Sequence, residues 1–321
     1  TARWSERGLL EGYRADFEER FANKPHVVRP STLPLDEYAD VYVGQQTKRY
    51  LESYNRDEPW FCWVSFGGPH EPWDAPEPYA SMYEPSAMPK PVMRPQNDHP
   101  RPQGWLDFHM ERNTPKLEST DAEDMRANYA GNVSLIDDQI GEILDVIEER
   151  GELSNTVIAF TSDHGEMNGD WGLIYKMNFL NGALRVPLIV RTPETLVAGG
   201  GVENDDLVEN MDLGPTLVDL AGGELEHRQF GRSLIPAISG ELNDEPHRED
   251  VLSEFRGEFM LMADQWKMAV NREGETYLLF NLKNDPEETS NLAGLTEHGV
   301  VEDDLRLRLL ERISKTQLKE P

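Results

Sequence analysis

The order of hydrophobic patterns along this chain predicts an α/β layered fold with a mostly parallel central sheet, followed by a small antiparallel sheet and a helix. Three observations carry that prediction. Met125, Tyr129, Val133, Ile136, Ile140, Ile143 and Ile147 step by three and four, which is the apolar stripe of an amphipathic helix, and Gly151 stands where such a helix stops. Two short apolar runs, 157–160 and 186–190, follow that helix and flank a polar loop, so helix, strand, loop and strand succeed one another as in layered α/β proteins. From about residue 250 the texture changes to short apolar runs at 251–255, 259–262, 266–270 and 276–282, separated by Arg-Gly-Glu, Ala-Asp-Gln and Arg-Glu-Gly-Glu turns, which is the pattern of a meander.

Taken in order, the first forty residues mix aromatics, charges and prolines and predict irregular structure leading into a helix. Residues 35–54 predict that helix, with Tyr38, Val41, Gln45, Lys48 and Glu52 at helical spacing and Pro59 beyond its end. A strongly apolar strand is expected at 60–66, ending in Gly67-Gly68-Pro69-His70. Residues 72–118, rich in Pro, Met and His, read as a long excursion. Trp73, His99, Trp105 and His109 lie in it, with no spacing that assigns them a role. Thr120 and Glu123 have the spacing of a capping box for the long helix, and adjacent Asp137 and Asp138 read as its solvated face. Asp212 is expected to cap a helix that contains Pro215 and stops at Gly222-Gly223, and Leu305, Leu309 and Ile313 mark the terminal helix.

Composition bounds the function classes. With 321 residues and 38% hydrophobic content the chain can bury a large core, and no apolar run approaches the roughly 18 residues of a membrane-spanning helix. Its 60 acidic and 31 basic residues give a formal net charge of −29, a field that disfavours nucleic acid and anionic membrane. Only nine of the basic residues are lysines. Such self-repulsion is relieved by concentrated salt, which shortens the Debye length to about 3 Å at 1 M, so a halophilic source is expected. One cysteine, Cys62, excludes an intrachain disulfide and a cysteine-rich zinc site. The chain begins Thr-Ala-Arg-Trp, with neither initiator Met nor leader, and is expected to be a piece of a longer product whose targeting region is not present, so its localisation is left open.

The chemistry concentrates at the end of the strand at 157–160. Thr161 and Ser162 break it into a loop in which Asp163 and His164 are adjacent and Gly165 permits the turn. Carboxylate and imidazole side by side at a strand end make one side of a metal or anion site, and Lys176 follows within reach of the same loop.

The string 157–187 resembles the sulfatase family of the alkaline phosphatase superfamily, whose chains carry a similar Ser/Thr-Asp-His-Gly-Glu, Gly-rich loop, Lys and Arg-Val-Pro. Residues 61–85, with Ser-Phe, small residues and Pro-His-x-Pro, resemble a second landmark of that family. The Asp-x-x-Pro-Thr-Leu at 212–217, the Gly-Arg-Ser-Leu at 231–234 and the segment 279–292 resemble three more. The resemblance implies a three-layer sandwich over 1–240, incomplete at its amino terminus, and a small α+β subdomain over 241–321. It implies hydrolysis of a small-molecule or carbohydrate sulfate ester. Asp163 and His164 would be two ligands of a divalent metal, most often Ca2+ with Mn2+ or Zn2+ as alternatives, and Lys176 and His70 would contact the sulfate. Where the family commonly has His-Gly this chain has Trp171-Gly172. The Cys/Ser-x-Pro-Ser-Arg motif that becomes formylglycine does not occur, and Cys62 does not match it. Formylglycine is therefore expected in an N-terminal portion of the same protein, and this chain alone is expected to be inactive. A phosphonate monoester or phosphodiester hydrolase of the same superfamily, and a noncatalytic binding chain of the same fold, are the alternatives.

Overall fold

The computed structural model describes residues 2–24, 26–95, 117–193, 201, 203–227, 229–239 and 245–317. His99, Trp105, His109 and the expected boundary at 240 lie outside the described residues. The chain divides into two compact units. Of the described residues, the first unit contains 2–92, 117–154 and 166–174, and the second contains 93–95, 155–165 and those from 175 onward.

The first unit is helical. After α1 (Ala2–Glu6) comes α2 (Leu10–Asn23), where the sequence predicts irregular structure. Tyr13, Phe17 and Phe21 stack along it at four-residue spacing, and Arg20 reaches back to Asp16 Oδ2 at 2.6 Å. The many interleaved charges hide this periodicity from a hydrophobicity reading.

Helix α3 (Ala39–Ser53) buries Asp40, Val41, Gly44, Thr47 and Leu51. The face through Gln45, Lys48 and Glu52 is thus not the packed one, because Gly44 meets α4, where a Cβ would lie 2.4 Å from Gln139 Oε1. Helix α4 (Ser119–Glu149) is the long predicted helix, and Gly151 (φ +71°) ends it with Glu152 N donating to Ile147 O at 3.0 Å. Its capping box is Glu118 with Asp121, not Thr120 with Glu123, since the helix begins two residues earlier. Leu51, Ile143, Val146 and Ile147 form the core between α3 and α4, joined by half-buried Trp60, Val64 and Phe66. Each such buried aliphatic side chain contributes about 1.5–3 kcal/mol.

Residues 60–66 alternate as a strand does. Trp60, Cys62, Val64 and Phe66 are half-buried, while Phe61 and Trp63 are 69% and 76% exposed. No ladder partner is assigned to them among the described residues, so the expected strand is present as an alternating segment outside any sheet.

In the second unit β1 (Ile158–Thr161) pairs with β2 (Leu188–Arg191), and helix α5 (Asn181–Leu184) lies in the connection. The pairing is antiparallel, with Thr161 opposite Leu188. The mostly parallel sheet predicted from sequence is therefore not seen among the described residues. The connection returns to the end of β1 at which it left, whereas a parallel neighbour needs a crossover back to the strand's start. Phe160 is 39% exposed and Ile189 63%, so this pair is not the buried one expected.

Helix α6 (Leu213–Leu220) and the short α7 (Ile235–Ser239) lead to β3 (Asp250–Phe255), β4 (Glu258–Ala263), β5 (Trp266–Val270) and β6 (Thr276–Asn281). These strands form a meander in chain order, as predicted, and helix α8 (Gly299–Gln317) packs Leu305 and Leu309 against Leu261, Met268 and Leu279. Asp212 stands at the expected cap position of α6, but its side chain makes no cap hydrogen bond. It is fully buried and accepts from Arg248 Nε at 2.9 Å and Arg232 N at 2.7 Å. Burial works to raise its pKa, and the Arg248 guanidinium with the backbone donors wins, holding the carboxyl below its ordinary value.

Candidate active site

Asp163 and His164 leave the end of β1 on one loop. Asp163 is exposed, its Oδ1 accepts the His164 backbone N–H at 3.0 Å, and its Oδ2 lies 3.6 Å from His164 Nε2. His164 Nδ1 lies 2.9 Å from the carbonyl oxygen of Gly165, which can only accept. The Nδ1 position therefore carries a proton, and Nε2 lies on the side of the Asp163 carboxylate.

Two braces hold this loop. Asn210 accepts from Thr161 Oγ1 at 3.2 Å and donates Nδ2 to Ser162 O at 2.9 Å, while Ser162 Oγ donates to His164 O at 2.8 Å. On the far side Gly165 N donates to Ala183 O at 2.8 Å, and a Cβ at Gly165 would stand 2.1 Å from Gly182 O, so only glycine permits the approach. Lys176 is half-buried in the same unit. It follows Tyr175, which is buried at φ +73°, and its carbonyl accepts from Asn178 N at 2.5 Å.

His70 belongs to the first unit. Its Nδ1 is 2.9 Å from Glu71 O and 3.1 Å from Glu71 Oε2, which assigns a proton on Nδ1 to these acceptors. The turn that presents it is held by Asp40, whose carboxylate accepts Gly67 N at 2.7 Å and Gly68 N at 3.1 Å. Asp40 is 1% exposed, and burial raises its pKa against the pull of those two backbone donors. A Cβ at Gly68 would lie 2.4 Å from Asp40 Oδ2 and 2.6 Å from Asn132 Nδ2. Asp163 and His164 are thus brought together, Lys176 shares their unit, and His70 is carried by the other unit.

Sequence reasoning missed Asp40, Asn210 and Asn181. An acidic residue in the first turn of a helix gave a faint signal for Asp40, and nothing distinguished the two asparagines. Trp73, to which its spacing assigned no role, is 2% exposed and donates Nε1 to Asn168 Oδ1 at 3.0 Å, so it is a core residue.

A sulfatase family model matches residues 9–223, and a model of the carboxyl-terminal region of N-sulphoglucosamine sulphohydrolase matches 169–315. The chain belongs to the sulfatase family. Among curated proteins it is 33% identical over 80% of its length to a choline-sulfatase of Rhizobium meliloti (strain 1021), covering 52% of that protein. It is 30% identical over 83% of its length to PehA of Trinickia caryophylli, a multifunctional alkaline phosphatase superfamily protein, covering 57% of it. Among solved structures, phosphonate monoester hydrolase of Agrobacterium radiobacter superposes with a TM-score of 0.79 at 26% identity, over 91% of this chain and 64% of that one. This sulfatase-family chain spans a little over half the length of those curated relatives, 57% and 52%.

Members of the family use a divalent metal and formylglycine, so the donors present can be tested against a cation. The Asp163 carboxylate and the His164 imidazole suit one side of such a shell. Ca2+ takes about 6–8 oxygen ligands. Among the described residues no group of three or more His, Cys, Asp or Glu that could hold a metal ion occurs, so the two donors fit part of a cation's shell and not the whole. Nor is any helix among the described residues long and apolar enough to cross a membrane.

Proposed function

We propose that this chain carries part of the active site of a metal-dependent sulfatase acting on a small-molecule or carbohydrate sulfate ester. The observation that carries the reading is the Asp163–His164 pair at the end of β1, inside a segment that matches the sulfatase family. In this reading Asp163 and His164 hold the divalent cation, with Ca2+ favoured by the carboxylate and Mn2+ or Zn2+ compatible with the imidazole. Once bound, the cation supplies Lewis-acid neutralisation of charge on the ester oxygens. Lys176 places its ammonium against the sulfate, and His70, doubly protonated with its Nδ1–H held by Glu71, gives the Nε2 proton to the departing alcohol oxygen and is left as the neutral Nδ1–H ring. The nucleophile is a hydrated formylglycine in an N-terminal portion of the same protein, and this chain covers 57% and 52% of the two relatives.

Hydrolysis of phosphonate monoesters is the second reading, favoured by the TM-score of 0.79 to an enzyme of that name. The complete gene product, assayed on an aryl sulfate and an aryl phosphonate monoester, separates the two by the ratio of kcat/KM. His70→Ala and Lys176→Ala are each expected to lower turnover by about 10²-fold or more. A gene product that cleaves neither ester with any of the three cations would sink both readings and leave a noncatalytic binding role. Calcium titration followed by calorimetry adds an independent measurement, in which Asp163→Ala loses the heat that wild type shows.

A further inference from the structure

In the second unit Lys267 on β5 is a buried cation, at 1% exposure, and its ion-pair partner Glu288 is 2% exposed. Both groups also bind one residue of the connection between β1 and β2. Lys267 Nζ donates to Asn181 Oδ1 at 2.8 Å, Glu288 Oε2 accepts Asn181 N at 2.7 Å, and Asn181 Nδ2 donates to Pro286 O at 3.3 Å. Glu288 takes a left-handed backbone conformation, φ +60°, to meet them. An ion pair withdrawn from water is costly, and an apolar pair of similar volume is commonly as stable. Core stability alone therefore gives little reason for a charged pair at this place, whereas its bonds to Asn181 do.

From Asn181 two short paths run to the candidate site. Toward His164, Asn181 opens α5, and Ala183 of that helix accepts the Gly165 amide at 2.8 Å, one residue from the imidazole. Toward Lys176, Leu180 N donates to Asn178 Oδ1 at 2.9 Å, and buried Asn178 donates its own N–H to Lys176 O at 2.5 Å. We infer that Lys267, Glu288 and Asn181 are positioning residues, which lock segment 176–185 to the meander and so fix the backbone of Lys176 and of Gly165 beside His164. This inference rests on the reading of His164 and Lys176 as site residues, and its test needs no turnover.

Two double variants separate positioning from packing. Lys267→Met with Glu288→Leu removes both buried charges and every side-chain bond from them to Asn181. Lys267→Met with Glu288→Gln removes the charges and keeps an oxygen for the Asn181 amide. Both are expected to unfold within a few degrees of wild type. In the Leu version hydrogen exchange at Gly165 and across 181–185 should rise by about tenfold, the worth of one lost local hydrogen bond, with exchange in β4 and β5 unchanged. The His164 ring 15N signals should move with it, and the Gln version should stay near wild type on both readouts. A folded Leu version with wild-type exchange at Gly165 and wild-type His164 signals overturns the inference. If the double variants do not fold, Asn181→Pro decides, because proline suits the first position of a helix, removes the amide N–H and the side chain that bind the pair, and leaves the buried ion pair intact. The same changes at Gly165 and His164 support the inference, and their absence overturns it. Failure of the sulfatase reading would show separately, as absence of ester hydrolysis by the wild-type gene product.

Discussion

The Asp40 carboxylate accepts the Gly67 amide at 2.7 Å, and through that bond the first turn of α3 holds the backbone on which His70 stands. Asp40→Ala would leave the Gly67 and Gly68 donors without this acceptor in a place where Asp40 itself is 1% exposed. The expected cost is about 1–3 kcal/mol, or roughly 2–10 °C in melting temperature for a domain of this size. Amide exchange at Gly67, Gly68 and His70 should accelerate more than in α4. An Asp40→Ala variant with wild-type exchange at Gly67 would show that the turn is held by something else.

Asp74 gives the chain a pH dependence opposite to the usual one for a carboxylate. Burial raises its pKa to about 7, against the partial pull of Arg20 and of the hydrogen bonds from Tyr38 (3.1 Å) and Ser31 (3.4 Å). The folded state then binds the proton more tightly than the unfolded chain does, so the contribution of this group is full below about pH 4 and is lost as pH rises toward about 7. Asp74→Asn keeps an acceptor for Tyr38 and cannot ionise. At pH 8 it should be more stable than wild type by roughly 2–4 kcal/mol, a gap that closes toward pH 4. Chemical denaturation of both proteins at the two pH values measures it, and an equal gap at both would refute the assignment.

The net charge of −29 makes a third expectation. Surface pairs such as Lys48 with Glu142 at 2.8 Å are exposed enough to be screened, so added salt weakens them while it relieves the much larger excess of like charge. The melting temperature should rise from low to molar KCl. A flat or falling trend would remove the halophilic reading.

What the sequence makes legible here is apolar periodicity, and what it hides is polar groups put to structural use. The meander at 250–281 and the closing glycine of α4 follow directly from pattern and turn chemistry. The buried stripe of α4 does not, because its middle runs through Asn128, Asn132 and Gln139 while Val133 is exposed. Asn128 Oδ1 takes the Ala75 amide at 3.1 Å, and Asn132 Nδ2 reaches the Tyr38 hydroxyl at 3.4 Å, so these amides are buried as hydrogen-bond partners. A hydrophobicity reading assigns such residues to solvent. The same applies to Lys267, whose place in an otherwise apolar strand is explained only by Glu288 and Asn181, residues far from it in sequence. The antiparallel pairing of β1 and β2 was hidden for another reason, since two apolar runs carry no record of relative direction.

Gly165 supplies the last prediction, because it tests the loop without touching a polar group. An added Cβ would lie 2.1 Å from Gly182 O and 3.1 Å from its carbonyl carbon, both backbone atoms that cannot rotate away. Either the 163–165 loop or α5 must move, and the bond from Gly165 N to Ala183 O, 2.8 Å long in the native chain, must stretch or break. Gly165→Ala should therefore cost about 1–3 kcal/mol, by overpacking plus the lost bond. The change should reach the site as well, since the Oδ2 to Nε2 distance of 3.6 Å between Asp163 and His164 depends on the same backbone. Calcium or manganese affinity measured at a temperature where the variant is fully folded should fall by about tenfold or more. Gly172→Ala is the control, because a Cβ added there would meet no atom within 4 Å and its cost is confined to a backbone at φ +71°. If both variants bound the cation equally well, the loop at the end of β1 would not be what sets the metal-binding geometry.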